Sequence, residues 1–106
     1  MEAAVVHNER ERFHPRVEAN FMVKVWVDGH FVLTKARDLS MAGVYLLDPS
    51  FKHHTFTVAI PLPNDQEILT QCQVKRRHPT GMAVEFQALD WDDMFALARF
   101  LHPRLP

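Results

Sequence analysis

The sequence predicts an all-β fold, a small six-stranded antiparallel barrel with one α-helix at its C-terminus. Three observations carry that expectation. Six short runs read as strands, and several place apolar residues at every second position, the period of a strand with one buried face. No helical pattern lies between those runs, so the long crossovers that a parallel sheet needs are missing. From Asp90 onward the apolar period changes to that of a helix. At 106 residues the chain is of a size to form one domain around one core. Residues 1–16 read as an N-terminal arm or loop, and residues 17–106 as the barrel plus its helix.

Taken in order, the first strand begins at Val17, with Phe21, Val23, Val25 and Val27 on one face and Met22, Lys24 and Trp26 on the other. Asp28-Gly29 between alternating apolar residues is a two-residue hairpin turn, so Val27 should face His30. The second strand runs from about His30 to Arg37, and that register would set Ala19 opposite Asp38 and Val17 opposite Ser40. After a turn at Ser40–Gly43, Val44-Tyr45-Leu46-Leu47 is a short third strand stopped by Asp48-Pro49, and residues 50–53 read as a loop. Phe56, Val58 and Ile60 mark a fourth strand, broken by the segment from Pro61 to Asp65. Leu69 to Arg77 is a fifth, His78-Pro79-Thr80-Gly81 its turn, and Met82, Val84 and Phe86 mark a sixth. Asp90 stands where an N-cap belongs, with Asp92 and Asp93 in the first turn, where the helix dipole favours negative charge. Trp91, Met94, Phe95, Ala98 and Leu101 then follow helical spacing until Pro103 ends the helix.

Composition narrows the function. Twelve Lys+Arg against thirteen Asp+Glu leave a formal net charge of −1, without the basic excess of a general DNA- or RNA-binding protein. Cys72 is the single cysteine, which excludes an internal disulfide and a cysteine zinc cluster; it reads as a half-buried strand residue. The N-terminal apolar run is short and has no basic lead, and no stretch reaches membrane-spanning length. A cytoplasmic protein without membrane insertion is expected.

Two polar stretches stand out. Arg12-Phe13-His14-Pro15-Arg16 puts two arginines just before the first strand, and Asp38-Leu39-Ser40-Met41-Ala42-Gly43 closes the second. The hairpin between them would carry Arg16 to the side of the Asp38–Gly43 turn. A guanidinium pairs bidentately with phosphate or the O6/N7 edge of guanine. An ionised Asp38 accepts only, which suits the N1–H and N2–H donors of guanine. Ser40 can donate to a phosphate oxygen, and Gly43 permits close backbone approach. Either stretch alone has a plain meaning: a solvated basic loop, or a turn whose Asp and Ser bond their own backbone. Together, flanking one hairpin, they ask for a compact ligand that carries both guanine and phosphate.

With these residues in place the chain resembles the PilZ domain family, bacterial receptors for cyclic di-GMP. The resemblance runs from Arg10 to about His102. It covers the Arg12/Arg16 pair, Asp38, Ser40 and Gly43, the Val74-Lys75-Arg76-Arg77 strand and the Gly81-Met82-Ala83-Val84-Glu85-Phe86 strand. It implies a PilZ-type barrel whose arginine loop folds over the dinucleotide. Arg12 and Arg16 would hold guanine and phosphate groups, Asp38 a guanine edge and Ser40 polar groups of the ligand, while Gly43 leaves room. Some relatives carry an arginine immediately before the pair and accept a stacked ligand dimer. Glu11 occupies that position here, and its carboxylate should repel a second dianion, so one cyclic di-GMP per chain is expected. Arg10 and Arg77 are further candidates for ligand contact. Signalling through an effector protein, and roles in motility or biofilm formation, are implied by the resemblance alone.

Other constellations carry less. The seven histidines form no zinc-like spacing and read as surface residues, so neither metal nor cofactor is expected. No nucleophile elbow or phosphate loop appears, and helix capping accounts for Asp90, Asp92 and Asp93. No residue is assigned a catalytic role, and the chain is not expected to be an enzyme. Arg76 and Arg77 alternate faces, so one of them at most faces a ligand. Trp26 is either a surface platform or lies under the helix. The alternative function is a PilZ-like adaptor that binds a protein partner and no nucleotide.

Overall fold

The computed structural model describes residues 16–47 and 52–104. Within them lie β1 (Val17–Val27), β2 (His30–Leu39), β3 (Gly43–Leu46), β4 (Thr55–Leu62), β5 (Gln66–His78) and β6 (Gly81–Phe86). The helix α1 (Trp91–Leu101) follows, continued by a 3₁₀ turn over His102–Arg104. All strand pairs are antiparallel and the sheet closes on itself in the order β1-β2-β3-β6-β5-β4. Closure removes the exposed edges that an open sheet of this size would present. The all-β barrel and terminal helix expected from the sequence are thus present. The expectations for Arg10, Glu11, Arg12 and the rest of the arm, and for Asp48-Pro49, lie outside the described residues.

The β1–β2 turn has φ 51° at Asp28 and 82° at Gly29, the doubly left-handed turn that matches strand twist, and Val27 pairs with His30 as predicted. The register then departs from prediction at one place. Phe21 faces Ala36, but Glu18 faces Asp38 and Val17 faces Leu39, in place of the predicted Ala19–Asp38 and Val17–Ser40 pairs. Ala19 and Asn20 together oppose Arg37, a β-bulge that inserts one residue into β1. Against β3 the surplus residue is Arg37 itself, between the Ala36–Leu46 and Asp38–Tyr45 pairs. Ala36 and Leu39 therefore both point into the barrel, and Arg37 and Asp38 both point out. β2 also extends two residues further than expected.

β4 continues through Pro61 and Leu62, where the sequence had suggested a break. β1 pairs with β4 only over Thr57–Ala59, so Pro61 lies where β4 borders no ladder on that side and its missing N–H is tolerated. The turn is Pro63-Asn64-Asp65, with positive φ at Asn64 and Asp65, and β5 starts at Gln66.

One apolar cluster fills the barrel, including Val23, Val25, Leu46, Val58, Ile60, Ile68 and Met82, and the helix adds Leu97 and Leu101 to it. Asp90 caps the helix as expected: its Oδ1 accepts the Asp93 N–H at 2.8 Å. The buried face differs from the prediction. Leu97 and Leu101 are buried, Met94 and Phe100 are half-buried, and Trp91, Phe95 and Ala98 are exposed. An apolar-rich helix carries two overlapping stripes at helical spacing, and the barrel takes the one that contains both leucines. Phe100 meets Phe21 edge-on with ring centroids 6.2 Å apart. The α-helix ends at Leu101 with His102 as its C-cap, immediately before Pro103 as expected, and Pro103 lies in the 3₁₀ turn that follows. Trp26 is not under the helix; it stands half-exposed beside Phe31 on the outer wall, ring centroids 5.1 Å apart. Cys72, expected to be half-buried, is fully buried, and burial pushes its thiol pKa up to about 12.

Candidate functional site: a cationic cleft on the barrel wall

The outward bulge in β2 has a direct consequence. A row of paired residues crosses the outer face as Glu18–Asp38–Tyr45–Ala83–Arg76, running over β1, β2, β3, β6 and β5. Above this row opens a cleft of about 550 Å³, within the usual range for a small-molecule site. Arg16 enters it from the start of β1, and the Ser40–Gly43 turn closes one side. Of the residues expected to bind ligand, Arg16, Asp38, Ser40 and Gly43 are thus brought together.

The turn is braced by Ser40. Its backbone N–H donates to the Gly43 carbonyl at 2.9 Å. Its hydroxyl oxygen accepts from the Ala42 N–H at 3.1 Å and the Gly43 N–H at 3.3 Å. Both acceptor positions of the hydroxyl serve the turn, and its proton has only a long 3.5 Å contact with the Gly43 carbonyl. Gly43 has a physical requirement of its own. A Cβ built there would overlap the Val84 carbonyl oxygen, so glycine is needed for β3 to approach β6.

Asp38 is held by its neighbour, with Arg37 Nε donating to Asp38 Oδ2 at 2.8 Å. The same guanidinium lies over the ring of Tyr45, its central carbon 3.8 Å from the centroid. Tyr45 is buried but outside the core cluster; it faces outward beneath Arg37. Its hydroxyl meets His78 Nδ1 at 2.9 Å and Thr80 Oγ1 at 3.2 Å, and the His78 ring stacks on it at 28°. Lys75 pairs with Glu85 at 3.5 Å.

On β5 a third bulge decides which arginine joins the cleft. Val74 pairs with Val84 but Arg76 pairs with Ala83, so Lys75 is the inserted residue. Unbroken alternation would place Arg77 on the outer face with Lys75. The bulge puts Arg76 there, and Arg76 lines the cleft. Arg77 does not; its Nη2 donates to the His53 carbonyl at 2.7 Å. Of the two adjacent arginines, the cleft lining thus takes Arg76. Arg37 and Tyr45, which also line the cleft, were not singled out in the sequence. The signal for Arg37 was present: two adjacent polar residues, Arg37 and Asp38, stand between two core-facing ones.

Four cations, Arg16, Arg37, Lys75 and Arg76, face this cleft against two carboxylates, Asp38 and Glu85. A chain of formal charge −1 therefore concentrates positive charge at one place. Among the described residues no three His, Cys, Asp or Glu side chains converge to hold a metal ion, and no helix is long and apolar enough to cross a membrane.

The fold and the cleft define a small closed-barrel module with a cationic groove on its wall. The chain belongs to the PilZ domain family, whose pattern it matches over residues 10–102. Several solved structures share the fold. The PilZ domain of CeSA from a cellulose-synthesizing bacterium superposes with TM-score 0.63 at 19% identity, covering 83% of this chain and 95% of that one. The Bacillus subtilis inhibitor of motility, MotI/DgrA, superposes with TM-score 0.66 at 19% identity, covering 88% of this chain and 52% of that one. The chain thus spans about half the length of the second. Comparison with curated proteins finds no match.

Proposed function

We propose that the chain is a receptor for cyclic di-GMP and not an enzyme, and that a partner protein reads the liganded state. The observation that carries this reading is the meeting of Arg16, Asp38 and the Ser40–Gly43 turn in one cleft with a net cationic lining. A cyclic dinucleotide offers two phosphates to the cations and two guanines with donor edges to a carboxylate. Asp38 Oδ2 is taken by Arg37, which leaves Oδ1 for a guanine N1–H and N2–H. Arg12 and Arg16 close over the ligand from the N-terminal side, and the Ser40 proton turns from its long contact towards a phosphate oxygen. Each charge-assisted hydrogen bond contributes about 1.5–3 kcal/mol. Glu11 sets the stoichiometry at one ligand per chain. The exposed aromatic residues Trp91 and Phe95 on the helix, and Trp26 and Phe31 on the barrel wall, favour a protein partner for the output.

Isothermal titration with cyclic di-GMP, with GTP and cyclic di-AMP as controls, tests the reading. Saturable binding selective for cyclic di-GMP at one per chain is expected, and Arg16→Ala should weaken it roughly tenfold to a hundredfold. No heat, together with no ligand-induced shift in melting temperature, would move the assignment to an adaptor that binds protein alone.

A further inference from the structure

We propose that Arg37, backed by Tyr45, is a stacking platform for one purine base of the ligand. The inference rests on the nucleotide reading above and assigns a role within that cleft to residues outside the two motifs. Three features of Arg37 distinguish a platform from a phosphate clamp. Its guanidinium lies over an aromatic ring, 3.8 Å from carbon to centroid, so one face is already occupied by Tyr45. Its Nε is committed to Asp38 at 2.8 Å, which fixes the group against rotation. Even so, the side chain keeps 48% of its surface exposed and lines the cleft, which leaves a flat cationic surface open to a ligand.

Tyr45 is fixed in turn. Its hydroxyl bonds His78 and Thr80 at 2.9 and 3.2 Å, so the ring cannot tilt without breaking that pair. The platform is thus assembled before ligand arrives, and little ordering cost falls on binding. A planar guanidinium stacks on a purine as it does on an aromatic side chain, and the base would complete a sandwich of Tyr45, Arg37 and purine. Stacking accepts any base face, so Arg37 contributes affinity while the edge contact of Asp38 contributes the choice of guanine.

The test compares the unaltered chain with Arg37→Lys and Tyr45→Phe, their folds checked by thermal melting. The probes are cyclic di-GMP and an analogue with 2-aminopurine replacing one guanine, whose fluorescence is quenched on stacking. Arg37→Lys keeps the charge and loses the plane. It should bind cyclic di-GMP about tenfold to a hundredfold more weakly and abolish the quenching of whatever analogue remains bound. Tyr45→Phe keeps the ring and should retain the quenching with a loss of only a few-fold. Undiminished affinity and undiminished quenching in Arg37→Lys would overturn the platform while leaving the receptor reading intact. So would weaker binding with full quenching, since Arg37 would then act on phosphate. Absence of cyclic di-GMP binding by the unaltered chain would remove the receptor reading, and the platform with it.

Discussion

Gly43 and Val84 approach so closely that the Val84 carbonyl oxygen occupies the place of a Gly43 Cβ. The contact joins β3 to β6 beside the cleft, where Gly43 pairs with Glu85 and Val44 with Val84. Gly43 was expected to leave room for ligand; the backbone alone gives it a reason to be glycine.

The two roles separate in Gly43→Ala. A methyl group against backbone cannot be accommodated by rotating a side chain, so β3 or β6 must shift. Overpacking of this kind destabilises by about 1–3 kcal/mol, which at this chain length lowers the melting temperature by roughly 4–8 °C per kcal/mol. A variant that melts like the unaltered chain yet binds cyclic di-GMP more weakly would return the glycine to its ligand role.

Arg76 and Arg77 give a second separation. Only Arg76 lines the cleft, whereas Arg77 donates to the His53 carbonyl. Arg76→Ala should weaken binding of cyclic di-GMP by about tenfold, the loss of one charge-assisted contact. Arg77→Ala should leave affinity unchanged within twofold and act on stability alone. Titration of both variants decides it, and the reverse ranking would contradict the β5 bulge.

That bulge also marks the limit of what the sequence made legible. Strand identity followed from period-two alternation, and the Val27–His30 register from Asp28-Gly29, because turn chemistry and side-chain parity act over neighbouring residues. The bulges escaped, since an inserted residue reverses parity with no turn residue to announce it. The β2 bulge moved Asp38 to the outer face with Arg37, and the β5 bulge exchanged Arg77 for Arg76. Ala36 and Leu39, apolar at opposite parities, carried the trace of the first. The helix face failed for a different reason: Trp91 and Phe95 fit the helical period as well as Leu97 does, and only the shape of the barrel end separates them. The meeting of Arg16 with Asp38 and the Ser40–Gly43 turn was legible in the hairpin that joins them. The Arg37–Tyr45–His78 stack was not, because it joins three strands that the sequence alone could not align.

Cys72 supplies a pH signature. It is fully buried, and its thiol is raised from an ordinary 9.0 to about 12 by desolvation. In the unfolded chain the same thiol ionises near its ordinary value. Below pH 9 both states hold the proton and the fold loses nothing. Between pH 9 and about 12 only the unfolded state releases it, so stability falls by about 1.4 kcal/mol per pH unit on account of this group. Urea melts across that interval should show a shallower decline in Cys72→Ala. At pH 8 the native thiol should resist a disulfide reagent until the chain unfolds; rapid labelling of the folded protein would contradict its burial.

Thr34 is a weak point inside the barrel. It lies on β2 opposite Val23, 3% exposed, and its Oγ1 is buried without a hydrogen-bond partner among the described residues. A hydroxyl so placed has left water and recovered no bond, which costs about 1–3 kcal/mol. Most buried hydroxyls on strands avoid this by bonding a carbonyl, as Thr70 does with Gln71 at 3.3 Å. Thr34→Val replaces the hydroxyl by a methyl of nearly the same shape and keeps the β-branched side chain that suits a strand. The variant should gain about 1 kcal/mol and melt roughly 4–8 °C higher, with cyclic di-GMP affinity unchanged because Thr34 points away from the cleft. A lower melting temperature would mean that the hydroxyl has a partner after all, an internal water being the natural one, and that the barrel interior at β2 is wet.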